Sequence, residues 1–294
     1  MLRQTDETSY GDYGVPMAVY KGLELPSGRG LWNNQLLQVG LISAEPSAAA
    51  QGAAIGELAK SLAITVSGST PPELVTKPAP DEVTVPLAAG SPHHATLGRS
   101  DVFNEVVEID IEHSGILVIG QPRSGRSTAL RQIARSLVAS GYEVWTIGLG
   151  NDIGGSGRHA TTKVDAATEL LADFAALCES LPKPLPYVLV IDNADRYSDP
   201  AAASAYERIV KAEASRTIAG IETRNYSGYT SNMMLSEIRL ESTILMLQPD
   251  NASDVLSVTG VRPQLRPGFK LSAGRGVFIA NRQPVVVQVA VPSE

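Results

Sequence analysis

A short apolar run, a glycine-rich loop and a helical pattern follow one another in the segment Gly115-Ile116-Leu117-Val118-Ile119-Gly120-Gln121-Pro122-Arg123-Ser124-Gly125-Arg126-Ser127-Thr128. The apolar run predicts a buried strand, and the apolar positions between 127 and 139 recur with the spacing of a helix. Glycines allow the chain to turn tightly around an anion, and the N–H groups of the loop and of the helix N-terminus then point at phosphates. We therefore predict a phosphate-binding loop over residues 120–128.

Position 126 departs from the usual pattern of such a loop, the Walker A motif, because Arg126 stands where the motif has a lysine. Lysine is a compact point charge, whereas arginine is longer, planar and differently directed. We expect phosphate binding to survive this exchange and transition-state stabilisation to suffer. Ser127 stands where a hydroxyl ligates Mg²⁺. The alternative is a glycine turn that binds nothing.

A second acidic motif follows another apolar strand, Tyr187-Val188-Leu189-Val190-Ile191, which ends at Asp192 and Asn193. This arrangement matches a Walker B motif, in which Asp192 would hold Mg²⁺ through water. The next position is usually a glutamate, and Asn193 can orient a water but cannot act as a base. Asp192 and Asn193 are therefore the candidate catalytic positions in a degenerate form. A helix N-cap or strand-end acid is the alternative interpretation of Asp192.

Strands and helices alternate throughout residues 101–294. Apolar runs predict further strands over 106–111, 144–147, 217–221 and 242–247, and helical spacing predicts helices over 166–181 and 201–214. Such alternation is typical of βαβ units. We expect an α/β fold with a mostly parallel sheet and helices on both faces.

Composition narrows the class of protein. Hydrophobic residues make up 43% of the 294 residues, enough for a buried core, and aromatic residues only 5%. The net charge of −7 disfavours DNA as the main partner, although a local basic patch stays open. The single cysteine, Cys178, excludes an internal disulfide. Neither a signal peptide nor a membrane-spanning run is found, so we expect a cytoplasmic protein.

The chain divides into three zones. Residues 65–100 are rich in proline, which predicts a linker between residues 1–64 and residues 101–294. The triplet Gly28-Arg29-Gly30 recurs as Gly274-Arg275-Gly276, 246 positions later, each followed by a strand-like segment. This repeat predicts that the chain opens with the last strands of one domain and continues with a second copy of that domain. Chance likeness of two hairpins is the alternative.

Together, the phosphate loop, the Asp192 strand, the run Leu247-Gln248-Pro249-Asp250 and the hairpin that starts at Gly274 resemble the FtsK/SpoIIIE ATPase family. More narrowly, they resemble the last ATPase module of type VII secretion ATPases. The resemblance covers about residues 100–294 as one module. Residues 1–64 then resemble the C-terminal remnant of a preceding module.

This resemblance implies a RecA-like P-loop fold that binds ATP and Mg²⁺, in a multi-module chain tethered to the inner face of the membrane by a part outside this sequence. The implied partners are other ATPase modules or subunits and secreted substrate proteins. Arg224 lies where related ATPases keep a phosphate sensor, and a plain surface arginine is the alternative.

Three functions remain open at this stage. The first is a regulatory nucleotide-binding and substrate-docking module in which hydrolysis is weak or absent. The second is a motor subunit of a DNA translocase, which the acidic charge and the altered Walker positions disfavour. The third is a structural module without nucleotide binding.

Overall fold

The computed structural model describes most of the chain, with gaps. The described residues are 17–22, 29–32, 35–38, 40–45, 47–65, 79–88, 91, 93–101, 104–111, 115–150, 153–155, 157–180, 187–197, 199–212, 216–226, 243–263, 265 and 270–291. The chain forms two compact units, Met1–Val75 and Thr76–Glu294. No helix within the described part is long and apolar enough to cross a membrane.

The N-terminal unit contains four described elements. These are helix α1 (Met17–Tyr20), strand β1 (Arg29–Trp32), strand β2 (Gln35–Gln38) and helix α2 (Ala48–Thr65). Residues 1–16 and 66–78, on which parts of the predicted remnant and linker fall, lie outside the described residues.

The C-terminal unit contains a ten-stranded sheet and five helices among its described residues. The strands are β3 (His94–Ser100), β4 (Val106–Asp110), β5 (Ile116–Gly120), β6 (Glu143–Ile147), β7 (His159–Ala160), β8 (Tyr187–Ile191), β9 (Arg216–Ile221), β10 (Thr243–Leu247), β11 (Arg275–Ala280) and β12 (Gln283–Val289). The helices are α3 (Arg126–Ala139), α4 (Val164–Ser180), α5 (Pro200–Lys211), α6 (Thr223–Tyr226) and α7 (Ala252–Thr259).

The sheet order is β4-β3-β12-β11-β10-β5-β9-β8-β6-β7. The six strands from β10 to β7 are parallel to one another, and the four remaining strands extend the sheet antiparallel. Strand β5 is completely buried, which explains why its sequence is an unbroken apolar run. The predicted α/β class is confirmed.

Helices cover both faces of the sheet. On one face, α3 contributes Leu130 and Ile133 to an aliphatic core. On the other face, α4 and α5 contribute Phe174 and Tyr206 to a second core. The strands contribute side chains to both cores, because successive side chains of a strand point to opposite faces of the sheet.

Residues 79–100 lie within the C-terminal unit, whereas the sequence assigned residues 65–100 to a linker and began the module at 101. Strand β3 pairs with both β12 and β4 inside the sheet. The prolines of this stretch all precede the seven-residue strand, which contains none. The high proline content of residues 65–100 predicted a linker, but the last seven residues of that range contain no proline and can pair with neighbouring strands.

The arginines of the two Gly-Arg-Gly segments lie in hairpins in which each arginine pairs with a glutamine. Arg29 lies opposite Gln38 in the β1–β2 hairpin, and Arg275 lies opposite Gln288 in the β11–β12 hairpin. In each hairpin the arginine Nε donates to the glutamine Oε1, at 2.9 Å in the first and 3.2 Å in the second. The sequence repeat thus has a matching local structure in both units.

Candidate nucleotide site

The candidate site lies at the carboxyl end of the parallel strands. Gly120 ends β5, and Asp192 directly follows β8, with β9 between the two strands. Parallel strands present their carboxyl ends at one edge of a sheet, so residues far apart in sequence meet there. This edge is where open α/β sheets bind ligands.

The loop 121–125 carries the chain from β5 into α3. Arg123 and Gly125 adopt positive φ angles of 69° and 94°. Gly125 caps α3 without a side-chain hydrogen bond. The first N–H groups of a helix have no acceptor within the helix. This N-terminus therefore presents free backbone donors and the positive end of the helix dipole to an anion.

The residues of the loop fit a phosphate-bearing ligand. A Cβ at Gly120 would lie 2.2 Å from Ser124 Oγ, so only glycine allows the loop to close over the end of β5. Ser124 is fully buried, and its hydroxyl has no hydrogen-bond partner among the described residues. Buried polar atoms are rarely left without a partner, which suits a hydroxyl that completes its bonding when a ligand is present.

Arg126 is turned into the protein at the start of α3. Its Nε donates to Asp192 Oδ1 at 3.0 Å, its Nη1 to the Gly120 carbonyl at 3.2 Å, and its Nη2 to Asn193 Oδ1 at 2.5 Å. Only 10% of the Arg126 side chain is exposed. We call these three contacts the Arg126 bridge. They engage three of the five N–H donors of the guanidinium.

Gly220 in β9 leaves the space that the Arg126 side chain occupies. A Cβ at Gly220 would lie 2.7 Å from Leu130 Cδ1, 3.1 Å from Arg126 Cδ and 3.2 Å from Asp192 Oδ1. The side chain of Arg126 therefore crosses β9 where that strand has no side chain. The sequence analysis did not single out Gly220, because only the neighbouring strands show why a glycine is needed there.

Asp192 accepts hydrogen bonds at both carboxylate oxygens. Oδ1 accepts from Arg126 and from the Asn193 N–H at 2.9 Å, and Oδ2 accepts from Ser127 Oγ at 2.5 Å. The Asp192 side chain is 4% exposed. The structure thus brings together the two motifs that the sequence placed 66 positions apart.

The surroundings of Asp192 do not fit the predicted magnesium site. Mg²⁺ keeps several waters and prefers one or two carboxylates in a near-octahedral arrangement. Here the one carboxylate, that of Asp192, is already paired with the Arg126 guanidinium. Ser127 Oγ retains acceptor capacity, but its proton is committed to Asp192.

Asn193 has a different contact from the one expected. It adopts a positive φ of 55°, and its Oδ1 accepts from Arg126, which occupies one of the two acceptor sites of that oxygen. Asp195, two positions further, accepts from Asn225 Nδ2 at 2.5 Å. The acidic motif is therefore engaged in contacts within the protein.

The remaining predicted site residues lie at the surface of the loop or beyond it. Gln121, Pro122 and Arg123 are exposed, and Thr128 is half-buried in the first turn of α3. Arg224 is 78% exposed and forms an ion pair with Glu222 at 2.6 Å. Its role as a phosphate sensor stays a prediction.

The turn before β11 packs directly against the phosphate loop. The Gly274 N–H donates to the Ser124 carbonyl at 2.8 Å, and a Cβ at Gly125 would lie 2.8 Å from the Gly274 nitrogen. The sequence analysis noted the Gly-Arg-Gly triplet as a repeat but did not predict this contact. Two glycines facing each other allow the approach, and the repeat was the signal that could have indicated it.

Arg275 fastens residues 79–81 to the same turn. It donates to the Ala79 carbonyl and lies 3.7 Å from both Asp81 and Asp101. Ser272 Oγ donates to Asp81 at 2.7 Å. Burial raises the pKa of Asp101, and the nearby Arg275 guanidinium opposes that rise. A continuous series of contacts therefore runs from residues 79–81 through the turn to the phosphate loop.

Comparison with solved structures identifies the fold. The cytoplasmic domain of the Thermomonospora curvata type VII secretion ATPase EccC matches with a TM-score of 0.58 and 20% identity, over 100% of this chain and 37% of that chain. ATPases 2 and 3 of the same EccC, in complex with a signal sequence peptide, match with a TM-score of 0.59 and 20% identity, over 92% and 54%. EssC (ATPases 2 and 3) from Geobacillus thermodenitrificans matches with a TM-score of 0.60 and 12% identity, over 90% and 55%.

The chain shares the RecA-like fold of these EccC and EssC ATPase domains. The resemblance inferred from the sequence is thus confirmed at the level of fold. This chain spans between 37% and 55% of the lengths of these three solved chains. No protein-family model and no curated protein matches the sequence.

Proposed function

We propose that the C-terminal unit is a nucleotide-binding module of a type VII secretion-like ATPase, which binds ATP and hydrolyses it slowly or not at all. One observation carries this proposal: a glycine loop and an uncapped helix N-terminus lie beside a Walker pair joined by the Arg126 bridge. The loop keeps the backbone donors that bind phosphates. The residues expected to support hydrolysis are engaged elsewhere.

Slow hydrolysis follows from the contacts of the acidic motif. Asn193 has no basic group, and its amide oxygen accepts from Arg126. Arg126 is held toward Asp192, and phosphoryl transfer depends on precise placement of positive charge around the transferred group. The unit would therefore bind ATP without hydrolysing it at an appreciable rate.

A regulatory or substrate-docking role within a larger machine is the second part of the proposal. It is supported by the fold shared with EccC, one structure of which contains a signal sequence peptide. We propose other ATPase modules and secreted proteins as partners, and the inner face of the membrane as the location. Residues 1–64 are proposed to be the end of a preceding module, supported by the Arg–Gln pair that both hairpins contain.

Nucleotide binding is tested by placing a negative charge where the phosphates would bind, at a position where that charge does not destabilise α3. Thr128 lies in the first turn of α3, where an acidic side chain favours the helix dipole. We expect Thr128→Asp to weaken binding of a fluorescent ATP analogue by at least about tenfold, with an unchanged melting temperature. Ser253→Asp, the corresponding change in the first turn of α7, is the matched control. Equal affinity of both variants and the wild type would exclude this loop as the site.

Hydrolysis is tested by restoring both altered positions. We expect the wild-type rate of phosphate release to equal the buffer background. The double variant Arg126→Lys/Asn193→Glu should raise it by about tenfold or more, whereas each single variant should not. Hydrolysis by the wild type at rates of about one per second, within the usual enzyme range, would refute the proposed slow turnover.

Docking is tested separately with a labelled C-terminal signal peptide from a type VII secretion substrate. Saturable binding in the presence of ATP is the expected result. An absence of saturation at millimolar protein would limit the proposal to nucleotide binding and assembly. DNA binding that weakens steeply with salt would instead favour the translocase alternative.

A further inference from the structure

The Arg126 side chain places a positive charge beside the phosphate loop. The Arg126 guanidinium lies against Asp192, whose second oxygen accepts from Ser127, so both carboxylate oxygens are satisfied from within the chain. Arginine keeps its charge at any pH at which the protein is folded. Asp192 is therefore neutralised before any ligand arrives.

We infer that Arg126 takes the place of a divalent cation at this loop, so that the C-terminal unit binds nucleotide phosphates without Mg²⁺. This inference rests on the proposed function and specifies its ligand as a metal-free polyphosphate. A Mg²⁺ ion held between Ser127 and Asp192 would lie close to the guanidinium and be repelled by it. The two cations compete for one buried carboxylate.

Packing keeps Arg126 in this position. The aliphatic part of the side chain passes the bare backbone of Gly220, and Leu130 closes the other side. The guanidinium is held at three points, by Asp192, Asn193 and the Gly120 carbonyl. A metal ion that approached Asp192 would meet the guanidinium at Oδ1 and the Ser127 hydroxyl at Oδ2, beside a carboxylate whose side chain is 4% exposed.

The residue after Asp192 agrees with this assignment. Arg126 Nη2 donates to Asn193 Oδ1, and the second donor of Nη2 remains directed away from that bond. A glutamate at position 193 would bring a second negative charge next to Asp192, which would favour the binding of a divalent cation. The combination of Arg126 and Asn193 therefore balances one negative charge with one positive charge and leaves none for Mg²⁺.

The remaining donors suit a metal-free phosphate chain. The first N–H groups of α3 have no acceptor within the helix, and two guanidinium N–H groups lie outside the Arg126 bridge. In a metal-dependent site, the ion neutralises the phosphate oxygens. Here Asp192 already balances the guanidinium, and the helix dipole supplies the positive potential for the phosphates.

The test is the dependence of nucleotide affinity on divalent cation. We would titrate the full 294-residue chain with a ribose-labelled ATP analogue in excess EDTA and in millimolar Mg²⁺. The dissociation constant of the wild type should change by less than about threefold between the two conditions. Arg126→Lys shortens the side chain and removes the fork that reaches Asn193, and it should bind at least about tenfold more tightly with Mg²⁺ than with EDTA. Arg135→Lys, further along α3, is the matched control and should behave as the wild type.

Each result has a distinct meaning. Wild-type binding that disappears in EDTA would overturn this inference and leave the proposed function intact. An absence of binding in both conditions would overturn both. Equal affinities with and without Mg²⁺ in Arg126→Lys would show that Arg126 is not the cause, which also overturns the inference.

A second measurement does not depend on the folding of any variant. Electron paramagnetic resonance of Mn²⁺ counts the ions that the wild-type protein holds together with bound nucleotide. We expect no Mn²⁺ bound beyond the amount held by the free nucleotide at the same concentration. One immobilised Mn²⁺ per protein–nucleotide complex would overturn the inference.

Discussion

Arg126 at the start of α3 reaches across β9 to Asp192 at the end of β8, with 3.0 Å between Nε and Oδ1. An ion pair so deeply buried stabilises a fold mainly by preventing either charge from being buried alone. The two positions that depart from the Walker patterns, Arg126 and Asn193, are in direct contact. Their departures are therefore parts of one arrangement.

Removing one partner of this pair should destabilise the C-terminal unit strongly. We expect Arg126→Met to lower the free energy of unfolding by about 3–5 kcal/mol, because Asp192 is left buried without a cation. The double variant Arg126→Met/Asp192→Leu should recover most of that loss. Urea unfolding followed by circular dichroism measures both effects. Arg208→Met, which breaks the exposed pair with Glu179, is the control and should shift the midpoint little, so an equal loss in both single variants would contradict the prediction.

Gly220 should tolerate no side chain. In Gly220→Ala the new methyl group would meet Leu130, Arg126 and Asp192, and we expect a loss of about 1–3 kcal/mol in the free energy of unfolding. Gly56→Ala is the control, since a Cβ there has nothing within 4 Å and alanine favours the helix α2 that contains it. An unchanged unfolding midpoint in Gly220→Ala would mean that Arg126 does not follow the observed path.

Arg275 should hold residues 79–85 against the sheet. In Arg275→Ala the Ala79 carbonyl loses its donor, and Asp81 and Asp101 lose their cation. We expect amide hydrogen exchange over residues 79–88 to accelerate by at least about tenfold, because local opening becomes less costly. Exchange measured by mass spectrometry would detect this change. Arg282→Ala, at the opposite end of the same hairpin, should leave the exchange rates unaltered.

Cys178 should resist alkylation in the folded protein. Burial raises the pKa of its thiol to about 11, and Glu179 adds to the rise. The thiolate is the reactive form, so little of it exists at pH 8. Iodoacetamide should modify Cys178 only after unfolding, as followed by intact mass. Ser257→Cys supplies an exposed thiol on α7 that should react in the folded state, and equal rates at both thiols would contradict the burial of Cys178.

Strand and helix assignments came largely from the sequence because apolar periodicity is a local property. The predicted strands at 187–191 and 217–221 agree with β8 and β9 to within one residue. Strand β3 was missed because the prolines before it dominated the composition of the region. Helix α7 was also missed, although Asn251 and Asp254 form a capping box at its start.

The sequence by itself determined the strand–loop–helix order around the glycine-rich loop, the acidic strand end and the alternation that is typical of a parallel sheet, since each depends on residue type and spacing along the chain. The tertiary structure alone decided what the unusual residues do. Only the order β5-β9-β8 brings Arg126 to Asp192, and only the absence of a side chain at Gly220 leaves the space between them. These contacts join residues on three strands and a helix, and no local pattern records which strands are neighbours.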